Sequence, residues 1–197
     1  MQSSSRVLDL VSARDGHFQL ESGYHSGLWL DLDSLFIEPD KVAPLVSDLA
    51  GSISAHQPSV VCGPLVGGAF LAQLVANELG IEFCHTEKVG TAEITGLYQV
   101  EYVLPRAFRG RVGGAKVALV DDVMSAGSSL RATFTTLREL GAIPVVVGAL
   151  MVLGSKGEVF FRDLGVPVEA VERRDYQVWE PAQCPLCASR VPIEKTG

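Results

Sequence analysis

Residues 117–130 read Val117-Ala-Leu-Val-Asp-Asp-Val-Met-Ser-Ala-Gly-Ser-Ser-Leu130. With Lys116 in front, the apolar run to Val120 has the length and branching of a buried strand, and residues 128–140 carry apolar side chains at helical spacing up to Gly141. Between them stand two adjacent carboxylates, Asp121 and Asp122, and a turn of small residues: Val123, Met124, Ser125, Ala126, Gly127, Ser128 and Ser129. Open α/β sheets bind their ligands at the carboxyl ends of their strands, which is where this sequence puts the aspartates. The turn's amides and the N-terminus of the following helix form an anion site, to which Ser125, Ser128 and Ser129 add hydroxyls. Asp121 and Asp122 could instead cap that helix, although one carboxylate would serve for a cap.

Carboxylates beside an anion cup would repel a phosphate alone. They suit a ligand that also carries vicinal hydroxyls, and a ribose 5-phosphate meets both demands. Working outward, the same pattern stands upstream: a strand at 59–62, the turn Gly63-Pro-Leu-Val-Gly-Gly68, a helix at 69–79 closed by Gly80, and a strand at 81–84. Residues 143–152 form a continuous run too β-branched for a helix. Repeated strand–turn–helix units predict an α/β fold with a central, mainly parallel sheet flanked by helices. Earlier in the chain, 16–23 reads as a strand ending in a turn, 29–36 as a second extended piece, and 41–54 as a helix started by Pro39. Periodicity breaks from 87 to 115, where 97–104 looks extended and 105–114 is basic and glycine-rich. A long insertion of this kind is usually functional. The last stretch, 178–197, is rich in proline, holds a CxxC and reads as an irregular tail.

The 197 residues suffice for one domain with a sizeable core. We expect that domain over 1–177, with 178–197 as a cysteine-containing tail. Hydrophobic residues make up 47% and charged residues 20%, which argues against disorder. A formal net charge of −7 argues against a nucleic-acid partner, since a phosphate backbone needs a basic footprint. No apolar run is long enough to span a bilayer and the start lacks the order of a secretory signal, so no membrane partner is expected and the expected location is cytoplasmic.

The stretch 117–130 resembles the phosphoribosyl-diphosphate motif of the type I phosphoribosyltransferases. The resemblance implies that Asp121 and Asp122 contact the ribose hydroxyls, that 124–129 wrap the 5-phosphate, and that Mg²⁺ serves on the diphosphate donor. Pro64, Leu65, Val66, Gly67 and Gly68 resemble the family's diphosphate loop, whose amides face the leaving group; a plain glycine-rich β–α turn is the alternative. Phe18-Gln-Leu-Glu-Ser-Gly-Tyr-His-Ser-Gly-Leu-Trp-Leu-Asp31 is similar to the opening of orotate phosphoribosyltransferases. It implies a small N-terminal hood, about 7–36, over the base, with Ser22 and Trp29 at the substrate. Trp29 reads equally well as a buried aromatic.

Together these likenesses imply transfer of ribose 5-phosphate to a nitrogen base, with orotate first, a purine or other base second, and a donor-sensing regulator as the non-catalytic reading. A homodimer is expected by the same likeness. The chain departs from the orotate pattern at three places: Glu21 stands for a Lys, the insertion lacks a Lys-x-His-Gly, and Leu153-Gly-Ser-Lys156 stands for an Asp-Arg pair. The reaction needs charge stabilisation on the departing diphosphate. Lys88, Arg109 and Arg111 are the cations assigned to it, the alternative being a solvated basic loop. His25 and His85 could reach substrate or be ordinary core or surface histidines. Cys184 and Cys187 have the spacing of half a zinc site and need two further ligands, which a second CxxC pair across a dimer axis or a nearby His could supply. Free thiols or a disulfide are the other readings, and Cys62 and Cys84 read as buried core thiols.

Overall fold

Strands whose side chains are apolar on both faces can only be satisfied between two layers of helices, and residues 60–64, 117–120 and 143–153 are of that kind. In the computed structural model, which describes residues 6–20, 23–89 and 101–195, they form the middle of a six-stranded sheet. The strands are β1 (Ser12–Gln19), β2 (His25–Asp31), β3 (Val60–Pro64), β4 (Glu82–Lys88), β5 (Tyr102–Val103), β6 (Lys116–Met124), β7 (Ile143–Leu153), β8 (Val168–Arg174), β9 (Val178–Trp179) and β10 (Glu194–Lys195). The helices are α1 (Pro39–Ser54), α2 (Gly67–Leu79), α3 (Arg109–Val112), α4 (Ser128–Glu139), α5 (Lys156–Asp163) and α6 (Pro185–Ala188). No helix among the described residues is long and apolar enough to cross a membrane.

The large sheet runs β5-β4-β3-β6-β7-β8. Every pairing in it is parallel except β4 with β5. From β3 the chain moves outward to β4, and from β6 it moves the opposite way to β7. The strand order therefore reverses between β3 and β6, and the crevice beyond their carboxyl ends is where such sheets bind ligands.

Alternate residues of each central strand enter opposite core layers. Val61, Ala118, Val120, Val146 and Leu150 face α1 and α2, packing with Leu45, Leu49, Ile53, Leu71 and Val75. Val60, Cys62, Val117, Leu119, Val147 and Ala149 face α4 and α5, packing with Leu130, Leu137 and Phe161. Gly148 lets α1 approach closely, because a Cβ there would lie 2.8 Å from Ile53 Cδ1. Cys62 and Cys84 are buried, in-register neighbours on β3 and β4. A hydrogen bond with Cys84, and burial, push the Cys62 thiol well above its ordinary pKa, which leaves it an inert core group.

A second sheet, β10-β1-β2-β9, forms the hood. Its middle is the antiparallel pair β1–β2, and both edges come from the tail: β9 pairs with β2 and β10 with β1. Within itself the tail is irregular, with two-residue strands and short helical turns. It nevertheless spans the hood from one edge to the other.

Three expectations change in detail. The extended reading of 29–36 holds only to Asp31, after which Asp33–Phe36 is a 3₁₀ turn. The Ser34 hydroxyl donates to the Asp31 carbonyl at 2.9 Å, and the turn carries Leu35 into the core. Of the piece expected to be extended at 97–104, Tyr102–Val103 is a strand, and 90–100 lie outside the described residues. The basic stretch 105–114 forms helical turns, Arg106–Phe108 and then α3.

Candidate active site

A cleft of 790 Å³ opens at the crevice between β3 and β6. Its floor is the end of β6, where Asp121 still pairs in register with Ala149 of β7 while Asp122 is 8% exposed. The carboxylates order the bend behind them. Asp121 Oδ1 accepts the Asp122 amide at 3.1 Å, and Asp122 Oδ1 accepts the Val123 amide at 2.7 Å.

Neither aspartate caps α4. That helix starts at Gly127, in the left-handed region at φ 76°, with no side chain capping it. Glycine holds this conformation cheaply, and the chain turns there into α4, whose first residues Ser128 and Ser129 line the cleft. Ser125, Gly127, Ser128 and Ser129 line the cleft, whereas Met124 and Ala126 are buried beneath the turn. The Ser128 hydroxyl is buried and meets no hydrogen-bond partner among the described residues. A buried unpaired hydroxyl is costly, so a ligand oxygen at this point would be stabilising.

The opposite wall is the β3–α2 turn, from which Pro64, Leu65, Val66 and Gly67 line the cleft. The Leu65–Val66 peptide is cis. This turn packs directly on the aspartates: a Cβ at Gly67 would collide with the Asp122 carboxylate, and one at Gly68 would lie 2.7 Å from Asp121 Oδ1. The two glycines therefore allow a contact that couples both turns into one surface. Gly68 itself is buried.

The hood supplies the roof through Leu28, Trp29, Leu30 and Leu32, with Leu153 and Tyr176 beside them. Trp29 is half-buried, with the Arg14 guanidinium 4.8 Å over its ring. The Tyr176 hydroxyl donates to the Leu28 carbonyl at 2.7 Å, tying the hood to the segment after β8. Burial pushes the Tyr176 pKa above its ordinary value.

Lys88 lines the cleft at the end of β4. The other two cations assigned from sequence are not among the lining residues. Arg109 donates to the Leu104 carbonyl at 3.1 Å, and Arg111 pairs at 2.6 Å with Glu82, at the far end of β4 from the cleft. His85 lies between Phe108, with ring centroids 5.0 Å apart, and Glu87, with Nε2 at 3.4 Å. Ser22 lies outside the described residues.

His25 is found away from the cleft. Its Nδ1, His17 Nε2, and the sulfurs of Cys184 and Cys187 all lie within 4.8 Å of one another. Burial, and then the neighbouring His17, lower the His25 pKa below its ordinary value. Spacing alone could not reveal this group, because nothing local links residues 17 and 25 with 184 and 187. The partial signal was the CxxC itself.

Residues 36–180 match the family model described as the phosphoribosyl transferase domain. The chain is 33% identical to the orotate phosphoribosyltransferase of Thermotoga maritima over 183 residues, 93% of this chain and 90% of that one. It is 34% identical over 186 residues to the orotate phosphoribosyltransferase of Phenylobacterium zucineum, covering 93% of this chain and 89% of the other. Among solved structures, its fold is similar to that of an orotate phosphoribosyltransferase from Aeropyrum pernix, with TM-score 0.62 at 24% identity over 84% of this chain and 88% of that one. The fold is likewise similar to that of an adenine phosphoribosyltransferase from Giardia lamblia, with TM-score 0.68 at 18% identity over 87% and 99% of the two chains. A carboxylate pair at a strand end, an amide-rich turn on either side and a family match over most of the length lead to one conclusion: the chain belongs to the phosphoribosyl transferase domain family.

Proposed function

We propose that this protein transfers the 5-phosphoribosyl group of 5-phosphoribosyl 1-diphosphate to a ring nitrogen of orotate, releasing diphosphate. The observation that carries the donor half is the end of β6. Two carboxylates face a cleft whose next turn offers helix amides and the buried, unpartnered Ser128 hydroxyl. The choice of orotate rests on the 33–34% identity to orotate enzymes over nine-tenths of the chain.

In this reading Asp121 and Asp122 accept hydrogen bonds from the ribose 2- and 3-hydroxyls. The turn 124–129 and the α4 N-terminus hold the 5-phosphate, and the β3–α2 turn holds the diphosphate through the amides of 66–68, since Pro64 has no N–H and the Leu65 amide donates to the Thr86 carbonyl. The C1–oxygen bond to diphosphate breaks as the bond to the base nitrogen forms, the nitrogen's proton goes to solvent, and positive charge develops on the sugar ring between the two bonds. Asp121 and Asp122 stabilise that charge through the ring hydroxyls, and Lys88 stabilises the departing anion. Carboxylates facing phosphate oxygens are the hard, oxygen-rich surroundings that suit Mg²⁺, which would neutralise the diphosphate when bound. The hood positions the base, with Trp29 as its stacking surface and Ser22 beside it. In a homodimer, Arg109 or Arg111 would act on the partner subunit's diphosphate, since neither lines the cleft of its own chain.

A second reading, transfer to an uncharged base such as a purine, is favoured by one observation. The hood wall is built from Leu28, Leu30, Leu32 and Leu153, and Lys88 is the one Lys or Arg lining the cleft among the described residues. A carboxylate on the base would find no guanidinium there. Diphosphate release is measured with donor, Mg²⁺ and a panel of bases. Release with orotate alone supports the leading reading, release with a purine replaces it with the second, and donor binding without turnover on any base overturns both.

A further inference from the structure

The tail leaves the hood at β9, on the β2 edge, and returns at β10, on the β1 edge, so it must cross a face of the sheet. Midway along that crossing lies the α6 turn with Cys184 and Cys187, and under it are His17 and His25. Gln19 pairs with His25, so His17, two residues before Gln19, falls diagonally opposite His25 on the same face. A bulge between Asp15 and Phe18 adjusts this part of β1. Leu186, between the two cysteines, reaches the β2 backbone, with its Cδ1 3.9 Å from where a Gly27 Cβ would stand.

The atoms facing one another are His17 Nε2, His25 Nδ1, Cys184 Sγ and Cys187 Sγ. His17 Nε2 is 3.1 Å from His25 Nδ1, 3.4 Å from Cys184 Sγ and 3.7 Å from Cys187 Sγ, and Cys187 Sγ is 3.3 Å from His25 Nδ1. Zinc bonds of about 2.0–2.1 Å to nitrogen and about 2.3 Å to sulfur, at tetrahedral angles, require edges of roughly 3.3 Å for N–N and roughly 3.6 Å for N–S. These four separations straddle those edges, and all six lie within 4.8 Å.

Hydrogen bonding alone accounts poorly for the group. His17 Nδ1 lies 2.8 Å from the Val191 carbonyl, which can only accept, so in the neutral imidazole that nitrogen carries the proton and Nε2 keeps one lone pair. Three groups crowd that single lone pair: the His25 ring and two thiols. A cation at their centre would instead receive a lone pair from each. The Val191 contact is also what a metal-bound histidine needs from its outer nitrogen, since it fixes both tautomer and ring orientation.

We propose that His17, His25, Cys184 and Cys187 bind a structural Zn²⁺ that fastens the tail across the hood. On binding, each thiol gives its proton to solvent. Two thiolates and two neutral imidazoles then balance the ion's charge, which suits a largely buried position. Soft sulfur with imidazole at tetrahedral spacing selects zinc over the hard cation expected at the cleft, so the two metal sites are chemically distinct. Four protein ligands leave no open position, which makes the role structural.

The test uses the full, untagged chain purified from zinc-supplemented medium. Elemental analysis is expected to give about one zinc per chain. Exchange for Co²⁺ is expected to give the intense visible bands of a tetrahedral ion and near-ultraviolet thiolate-to-metal charge transfer. Cys187→Ser should be purified without zinc, and in excess Co²⁺ should show the charge-transfer intensity of at most one thiolate. Removing the metal from the unaltered chain with a strong chelator should expose residues 178–195 to protease while the rest of the domain resists. If Cys187→Ser does not fold, the cobalt spectrum and the chelator result on the unaltered chain still decide. Failure to bind either metal, a Cys184–Cys187 disulfide found by mass, or full zinc retention by Cys187→Ser would overturn the proposal. Donor binding is not a readout in any arm, so these outcomes are independent of the transferase reading.

Discussion

The Ser128 hydroxyl is buried at the start of α4 without a partner among the described residues, and this gives the site its most direct residue-scale test. Ser128→Ala removes a group that the free protein leaves unsatisfied, so stability should be unchanged or slightly higher. Donor affinity should fall about tenfold, or about 1.4 kcal/mol, as one phosphate hydrogen bond is lost; calorimetric titration beside thermal melting separates the two effects. Asp121→Asn with Asp122→Asn keeps the side-chain oxygens that accept the Asp122 and Val123 amides, so the fold should survive while donor binding is lost. Retained affinity would mean that these carboxylates do not meet the ribose. The aspartates could be found from sequence because their neighbours in sequence are also their neighbours in the site. The partners of Cys184 could not, because His17 lies across the molecule in sequence and is brought near only by the pairing of β1 with β2 and the passage of the tail.

At the scale of elements, α1 is held by what it buries against β7. Leu49 and Ile53 are among the largest fully buried side chains, and Leu49→Ala is predicted to destabilise the domain by about 2–5 kcal/mol, read as a lower denaturant midpoint. The junction between the two cleft turns behaves differently. In Gly67→Ala the new methyl group strikes the Asp122 carboxylate, so donor binding should weaken far more than stability, as the turn can shift at the surface where Val66 is exposed. Equal losses in both would show that this contact supports the fold rather than the site. Strands β3, β6 and β7 were legible because burial on both faces forces an unbroken apolar run. β8 was not, because as an edge strand it carries Glu169, Glu172, Arg173 and Arg174 and has no apolar face of strand length. The 3₁₀ turn at Asp33–Phe36 carries no helical signal in the sequence, because its apolar residues are too few to establish a period.

Across the whole molecule, the hood and the large sheet meet at the cleft, and Tyr176 is a bond between them. Burial raises its pKa, so the folded state holds the phenol proton more tightly than the unfolded chain does. That contribution is fully present below about pH 10, the ordinary phenol value, and is lost as pH rises through the raised one. Tyr176→Phe should cost about 1 kcal/mol at neutral pH and flatten the loss of stability above pH 10, as followed by melting across pH. The hood was only half legible: its N-terminal pair could be read from residues 16–31, but its edge strands have two residues each and carry no signal alone. Because both edges come from the tail, the roof of the cleft is completed by residues far downstream of its first strands, with Arg14 paired to Glu194 180 positions away. A chain cut before β9 would leave β1 and β2 with two bare edges, a template for joining strands of other chains. One stretch of peptide therefore shields both edges of this sheet at once, and whatever detaches it would bare both together.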